Sequence, residues 1–374
     1  HWADPTTLAV LDLIMDRIRA ARVLVLLTSR PEFNARWADH THVTTVALNR
    51  LTRVQSVAVV YRVAQGIALP ENLIDHIVDK TDGVPLFVEE LTKAVLESAA
   101  SREGAEVPGS RQPAAAMDIP ATLRDSLVAR LDRLGRSKEV AQIGSIFGRE
   151  FDYRLVAALA RVPDTVLAAA LAQLTGAGLL LCRGEPPDAA YSFKHALIQD
   201  AAYESMLKTR RQQLHASAAE IIERNFLDLC ATQPELVARH YTLGACPGKA
   251  IPYWLRAGER ARDRSANAEA LVHFNKGLEL VRHLPATELA IRSEIQLLTG
   301  LGPVIQATTG VASRQCEELY EQARALCEKV GDSTQLFGVL VNLWLLTTQR
   351  GQLDAAQDLS NQLFSTATAH AEPD

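Results

Sequence analysis

The sequence predicts a mainly helical protein that opens with a short α/β segment and ends with an array of paired helices. Only 5% of its residues are aromatic, while Ala, Leu and Arg are abundant, and this composition favours helix. The apolar run at residues 23–27 is typical of a buried strand in a parallel sheet. A chain of 374 residues is too long for one ordinary core, so two to three domains are expected.

The composition narrows the class of protein. With 48% hydrophobic and 22% charged residues, the chain has the balance of a folded, soluble protein. Its net charge of −5 provides no overall attraction to nucleic acid or anionic lipid, and no apolar run is long enough for a membrane span. Five scattered cysteines without a C-x-x-C pair indicate reduced thiols and a cytoplasmic protein. Because the chain begins with His1, we expect further residues upstream.

The first hundred residues combine a helix, the predicted strand and a helical segment. Asp4 and Pro5 are the capping and first residues of a helix that is expected to end near Arg22. The strand at residues 23–27 is followed by polar residues, and such strand tips are where α/β sheets place ligand groups. Residues 51–98 have a helical pattern with breaks at 66–70 and 83–85, which predicts a small helical lid.

A linker and a second domain follow. Residues 101–118 are rich in Ser, Gly, Pro and Ala, as linkers are. Short helices are predicted over 120–134, 138–147, 152–161 and 163–174, and a hairpin joins 176–182 to 190–193. Short helices closed by a hairpin indicate a winged helix at 119–207. The helix at 163–174 has no Lys or Arg, so direct DNA binding by this chain is not expected.

Residues 208–374 are predicted to form repeated helix pairs. Their clearest unit follows the tetratricopeptide order of Trp, small and aromatic positions. The matching residues are Trp254, Ala257, Gly258, Ala261, Ala270, Phe274 and Pro285. Further units are spaced more widely than the roughly 34 residues of strict repeats, with helix breaks expected near Pro247, Pro285, Pro303 and Gly331. Such an array predicts a surface for a protein partner, not a place for chemistry.

Four motifs in order carry a resemblance to a known family. They are HWADPTTLAVLD at residues 1–12, TSRPEF at 28–33, GVPLFVEEL at 83–91 and FKHALIQDAAYESML at 193–207. They resemble the signal-transducing AAA-type ATPases called STAND, in particular bacterial proteins that carry an adenylate/guanylate cyclase domain before the ATPase. The resemblance implies the end of an AAA-type ATPase domain with its lid at 1–100, followed by the winged helix and a tetratricopeptide-like α-solenoid.

The resemblance also implies that the intact protein uses ATP and ADP with Mg. No G-x-x-x-x-G-K-[ST] phosphate loop occurs in this chain, and the acidic strand that holds magnesium in the family lies before the HWAD motif. We therefore expect this chain alone to bind ATP weakly or not at all, to contain no catalytic residue and no metal site, and not to be an enzyme.

Four residues match positions that contact nucleotide in the family. Arg30 resembles the sensor of the γ-phosphate, Gly83 and Pro85 resemble the lid motif that packs on the base, and His195 resembles a histidine that touches the β-phosphate of ADP. Plainer interpretations remain open: a strand-end arginine, a helix-start turn, and a capping or core histidine. The adjacent carboxylates Glu89 and Glu90 are expected on a solvated helix face.

Together these features predict a nucleotide-switched regulator of signal transduction, with an output domain such as a cyclase outside the chain. The resemblance also allows an oligomer that depends on nucleotide. Two alternatives remain open: a transcriptional regulator with a DNA-binding domain beyond Asp374, and an interaction scaffold that has lost nucleotide use.

Overall fold

The computed structural model describes residues 4–30, 33, 35, 37–103, 122–310 and 313–371, and these residues are mainly helical. They divide into two compact units, one formed by residues 1–45 and 215–374 and the other by residues 46–214. The predicted linker at 101–118 lies largely outside the described residues, because helix α4 ends at Glu103 and the description resumes at residue 122.

Helix α1, Pro5–Arg17, begins as predicted, because the Asp4 side chain accepts a hydrogen bond from the Thr7 amide at 2.7 Å. A short 3₁₀ turn, Ile18–Ala20, ends it before Arg22. The buried strand predicted at residues 23–27 is wrong: this segment belongs to no helix or strand, and Leu24 and Leu26 are 91% and 86% exposed. A strand needs a neighbouring strand for its backbone, and no described segment provides one.

Three helices open the unit of residues 46–214. They are α2 (Arg53–Ala64), α3 (Glu71–Thr81) and α4 (Pro85–Glu103), and the two predicted breaks separate them. Their apolar faces share a core of Val60, Ile74, Ile77, Val78, Val88, Leu91 and Val95. We call these helices the three-helix bundle.

The second part of this unit, which we call the helix–hairpin module, comprises residues 122–207. Its helices are α5 (Leu123–Arg133), α6 (Arg136–Phe147), α7 (Tyr153–Ala160), α8 (Asp164–Gly176) and α9 (Ala196–Glu204). Its strands are β1 (Glu150–Asp152), β2 (Leu180–Arg183) and β3 (Ala190–Phe193). They form an antiparallel sheet in the order β1-β3-β2, with Leu180 opposite Phe193. The predicted hairpin is confirmed, whereas β1 was not predicted because three residues show no readable alternation.

Helix α10, Lys208–Asn225, leads into the repeated helices. These are α11 (Leu227–Thr232), α12 (Pro234–Leu243), α13 (Pro247–Asp263), α14 (Asn267–Arg282), α15 (Glu288–Thr309), α16 (Arg314–Val330), α17 (Ser333–Gln349) and α18 (Leu353–Ala371). From α12 onward each helix packs on the next. Pairs begin at Pro247, Glu288 and Ser333, so the repeat is longer than that of strict tetratricopeptide units, as predicted.

Glycines allow the helices of this array to approach closely. The Phe274 ring of α14 is fully buried between glycines of α13 and α15. A Cβ added to Gly258 would lie 2.7 Å from that ring, and one added to Gly300 would lie 2.6 Å from it. The predicted packing of Gly258 and Phe274 within one helix pair is therefore confirmed.

The helix break predicted at Pro303 is wrong, because Pro303 lies inside α15. A proline within a helix removes one backbone hydrogen bond. The neighbouring residues Leu301 and Val304 are buried against the array core, at 5% and 0% exposure. Burial along a long helix outweighs the loss of one bond, so tertiary packing overrides the local signal.

Candidate functional site

A buried ion pair joins α4 of the three-helix bundle to α5 of the helix–hairpin module. The Glu90 and Arg130 side chains are 0% and 2% exposed, and Arg130 Nη1 donates a hydrogen bond to Glu90. Arg130 Nε donates to both carboxylate oxygens of Glu97 at 3.1 and 3.2 Å, and Nη2 donates to Oε1 at 2.8 Å. Nη2 also donates to the Ala177 carbonyl at 2.8 Å. One guanidinium thus connects α4, α5 and the end of α8.

The expectation of a solvated Glu89–Glu90 face is wrong for Glu90. In the helical phase of α4, Glu90 follows Phe87 by one turn and precedes Ala94 by another, so it lies on the buried stripe. The same phase in α5 places Arg130 beside the fully buried Leu127 and Leu131. Charged residues of opposite sign on the apolar stripes of two helices were the signal for a buried pair, and sequence reasoning missed it.

Beside this pair lies a second, half-buried ionic group. Lys194, between β3 and α9, donates to Glu89 at 2.8 Å, and Lys93 of α4 donates to the same carboxylate. Burial opposes ionisation of Glu89, but the hydrogen bonds from both lysines outweigh it and lower the pKa of this carboxyl to about 2. Lys93 also contacts Glu90 at 3.3 Å. The two ionic groups therefore form one network across the α4 surface.

His195 follows Lys194 in the chain and is close enough to this network for the charges of Glu89, Glu90 and Lys93 to affect its pKa. It is the N-cap residue of α9, and its carbonyl accepts a hydrogen bond from the Ile198 amide at 3.0 Å, but its imidazole forms no capping bond. The Nε2 atom is buried without a hydrogen-bond partner. Burial lowers the pKa of His195, and the positive charge of Lys194 lowers it further, while Glu90 opposes them. The ring is therefore neutral at neutral pH, with one nitrogen left unsatisfied.

The predicted lid residues lie at the start of the same helix, α4. Gly83 has a φ of +68°, and its carbonyl accepts a hydrogen bond from the Leu51 amide at 2.7 Å. A Cβ on Gly83 would lie 2.2 Å from the Leu51 carbonyl oxygen. Pro85 is exposed and begins the helix. Glycine is thus required locally by the turn, whatever the motif binds.

Replacing Gly83 with alanine should lower the free energy of unfolding by about 2–4 kcal/mol, because the new Cβ adds a backbone clash to left-handed strain. Gly66 is the matched control, with a φ of +90° and nothing within 4 Å of an added Cβ. Gly66→Ala should cost only the strain, about 1–2 kcal/mol. Denaturant titrations of both variants measure the difference, and equal losses would contradict the expected clash with Leu51.

Arg30 and the residues described above belong to different compact units. It belongs to the compact unit that contains residues 1–45, its side chain is exposed, and its carbonyl accepts a hydrogen bond from the Phe33 amide at 3.0 Å. Of the four predicted residues, His195 is within reach of the charges on α4, the helix that Gly83 and Pro85 begin. The sensor role of Arg30 stays a prediction.

Two further properties bear on the kind of site. Within the described part of the chain, no group of three or more His, Cys, Asp or Glu side chains is arranged to hold a metal ion. None of the described helices combines the length and apolar character needed to cross a membrane.

Comparisons with known proteins leave the family open, since no family model matches the chain. An uncharacterized protein of Rhizobium meliloti is 28% identical over 357 residues, which are 92% of this chain and 34% of that protein. The chain thus spans about a third of the length of this curated relative. A crystal structure of a STAND protein with a tetratricopeptide repeat sensor from Pyrococcus horikoshii matches 88% of this chain and 55% of that one. Its identity of 10% and TM-score of 0.30 are too low to carry an argument.

Proposed function

We propose that the chain is part of a nucleotide-switched regulator of the STAND class, in which the helix–hairpin module is a winged helix that moves between closed and open positions. The observation that carries this proposal is His195. Its Nε2 is buried and unpaired, and its ring feels the charges of Glu89, Glu90 and Lys93 on α4, the helix that follows the Gly-Val-Pro turn. A neutral imidazole with an unsatisfied nitrogen, next in sequence to the cation of Lys194, suits contact with a phosphate group.

The residues present fit only part of a nucleotide site. His195 and the start of α4 would hold the phosphate and base ends of ADP, whereas the phosphate loop and the magnesium ligands of the family are absent from the sequence. Bound ATP would supply the γ-phosphate that distinguishes the two states. What this chain's own residues contribute is the closed position of the module, through Arg130, Lys194 and His195.

The repeat array suits the binding of a protein partner, since a stack of helix pairs presents a long continuous surface. DNA binding by the module is disfavoured, because α8 (DTVLAAALAQLTG) has no Lys or Arg to contact phosphates. A cyclase output domain outside the chain remains part of the proposal, as does an oligomer that depends on nucleotide.

The proposal is tested in a protein that restores the residues upstream of His1, with ADP and ATP affinities measured by calorimetry and ADP release by stopped flow. His195→Ala should speed ADP release, because it removes the contact between module and nucleotide. Arg30→Ala should weaken ATP by about 1.5–3 kcal/mol and leave ADP unchanged, because it removes a charge-assisted contact with the γ-phosphate.

His273→Ala is the control, since His273 is a partly buried histidine of the repeat array and should leave both nucleotides unaffected. The present chain, without the upstream residues, should bind ATP weakly or not at all. Tight magnesium-dependent ATP binding by this chain would contradict the assignment, and unchanged ADP release in His195→Ala would leave His195 as a structural histidine. Failure of the upstream-restored protein to bind either nucleotide would leave an interaction scaffold.

A further inference from the structure

The contact between the three-helix bundle and the helix–hairpin module is divided by charge. The bundle contributes the carboxylates of Glu89, Glu90 and Glu97, all on α4. The module contributes the cations of Arg130 and Lys194, which pair with them, and of Arg133. Arg133 Nη1 donates to the Ala94 carbonyl at 3.0 Å and lies 3.6 Å from Glu97. Lys93 is the exception, a cation on α4 that pairs with carboxylates of its own helix.

Each side of this contact has an apolar core of its own. The bundle core includes Val88, Leu91 and Val95 of α4, packed on α2 and α3. In the module, Leu171 and Leu174 of α8 are fully buried. Both parts therefore contain buried apolar side chains of their own, and the ionic residues lie at the contact between them.

A buried ion pair has a particular energetic consequence at such a contact. Removing two charges from water is costly, and their mutual attraction repays this cost only in good geometry. When the contact opens, Glu90 and Arg130 recover their hydration, whereas an apolar contact of the same size would gain nothing from water. The charges thus fix the docked position, through directed hydrogen bonds, and at the same time lower the cost of leaving it.

We infer that α4 and the module form a reversible docking surface, in which hydration of Glu90 and Arg130 is the step that releases the module. This inference deepens the proposed function, because the release is the movement that a nucleotide switch would use. The test of reversible docking itself requires no nucleotide. Glu90 and Arg130 are positioning residues in this account: they hold Lys194 and His195 against α4 and contact no ligand themselves.

The test uses the full chain and measures the distance between the two parts by pulsed electron spin resonance. Spin labels are placed at His76→Cys on α3 and Ala169→Cys on α8, both exposed positions. The other accessible thiols are removed by Cys182→Ser, Cys230→Ser and Cys246→Ser, while the two remaining cysteines are buried. A docked contact gives one short distance, and release adds a population at longer distance.

Arg130→Met should raise the long-distance fraction at least about fivefold, because Glu90 loses its main partner and regains hydration only by opening. The double variant Glu90→Leu with Arg130→Met should instead reduce that fraction below the wild-type value, because an apolar pair has no hydration to recover. The control is Arg154→Met with Asp188→Leu, an exposed ion pair within the module, which should leave the distances unchanged.

A double variant that opens as far as Arg130→Met, or an unchanged distance distribution in Arg130→Met, would overturn the inference. If Arg130→Met loses its helical circular dichroism, Lys194→Gln takes its place, since that half-exposed cation can be removed without leaving a buried charge. Lys194→Gln should raise the long-distance fraction about twofold, and no increase would contradict reversible docking. If the double variant stays docked as expected, while His195→Ala leaves ADP release unchanged in the upstream-restored protein, reversible docking is supported and a nucleotide switch through His195 is rejected.

Discussion

Replacing Trp254 with alanine should lower the free energy of unfolding by about 3–5 kcal/mol, the cost of removing a large buried aromatic side chain. Trp254 is 3% exposed in α13, and its indole Nε1 donates to Thr242 Oγ1 at 3.0 Å. One face stacks on His273 of α14, with ring centroids 5.5 Å apart, and Lys276 Nζ lies 4.7 Å from the ring centroid. The indole therefore connects three consecutive helices of the array.

A denaturant titration measures this loss, with two comparison variants. Trp254→Phe keeps most of the apolar burial but removes the bond to Thr242, so it should cost only about 1–2 kcal/mol. Phe364→Ala removes an aromatic ring of α18 that is 73% exposed, and should cost less than about 0.5 kcal/mol. A loss below about 1 kcal/mol for Trp254→Ala would mean that α12, α13 and α14 are not joined in this way.

Acidification should destabilise the repeat array through a buried histidine pair. His215 of α10 and His240 of α12 are each 2% exposed, and their Nδ1 atoms lie 2.9 Å apart. One Nδ1 donates this hydrogen bond and the other accepts it, so two protonated rings cannot form it. Burial lowers the pKa of His240 to about 3, and the charges of His215 and Arg239 act in the same direction.

The direction of this pH dependence of stability follows from proton binding in the folded and unfolded states. In the unfolded chain His240 titrates near its ordinary pKa of about 6.5, so below that pH the unfolded state binds the proton that the folded state excludes. The stabilisation is complete above pH 6.5 and is lost as the pH falls toward 3. Between pH 7 and pH 4.5 the loss attributable to His240 is on the order of 3 kcal/mol.

Thermal unfolding at a series of pH values, for the wild type and for His240→Asn, isolates this contribution. The asparagine amide can still hydrogen-bond to His215 but does not titrate, so the variant should lose less stability between pH 7 and pH 4.5. Carboxylates contribute equally to both proteins and cancel in the comparison. Identical pH dependence in the two proteins would show that His240 is protonated without cost in the folded state.

The sequence predicted correctly those features that depend only on residues close together in the chain. Asp4 and Pro5 predicted the start of α1, and the glycine and proline punctuation separated the helices of the bundle, because capping and φ restrictions act within a few residues. The hairpin between β2 and β3 followed from two short apolar runs around a turn. In the array, Gly258 and Phe274 were found by spacing, since a small residue opposite a ring is a pairwise requirement of close helices.

The two wrong predictions of secondary structure have one cause, because both depend on contacts between residues far apart in the chain. Residues 23–27 have the composition of a buried strand, but a strand forms only where another strand pairs with it, and none does among the described residues. Pro303 should end a helix by local rules, and burial of its neighbours keeps α15 continuous. Both outcomes depend on what packs against the segment, which no window of the sequence contains.

For the candidate site, sequence reasoning identified the kinds of residue: a histidine after a hairpin, a Gly-Val-Pro turn before a helix, and two adjacent carboxylates in the second turn of that helix. The burial of Glu90 and its pairing with Arg130, from a helix that begins after residues 104–121, became known from the fold. The physical reason is that a charge costs little in water and much in an apolar contact, so its role is fixed by the partner that the fold brings to it.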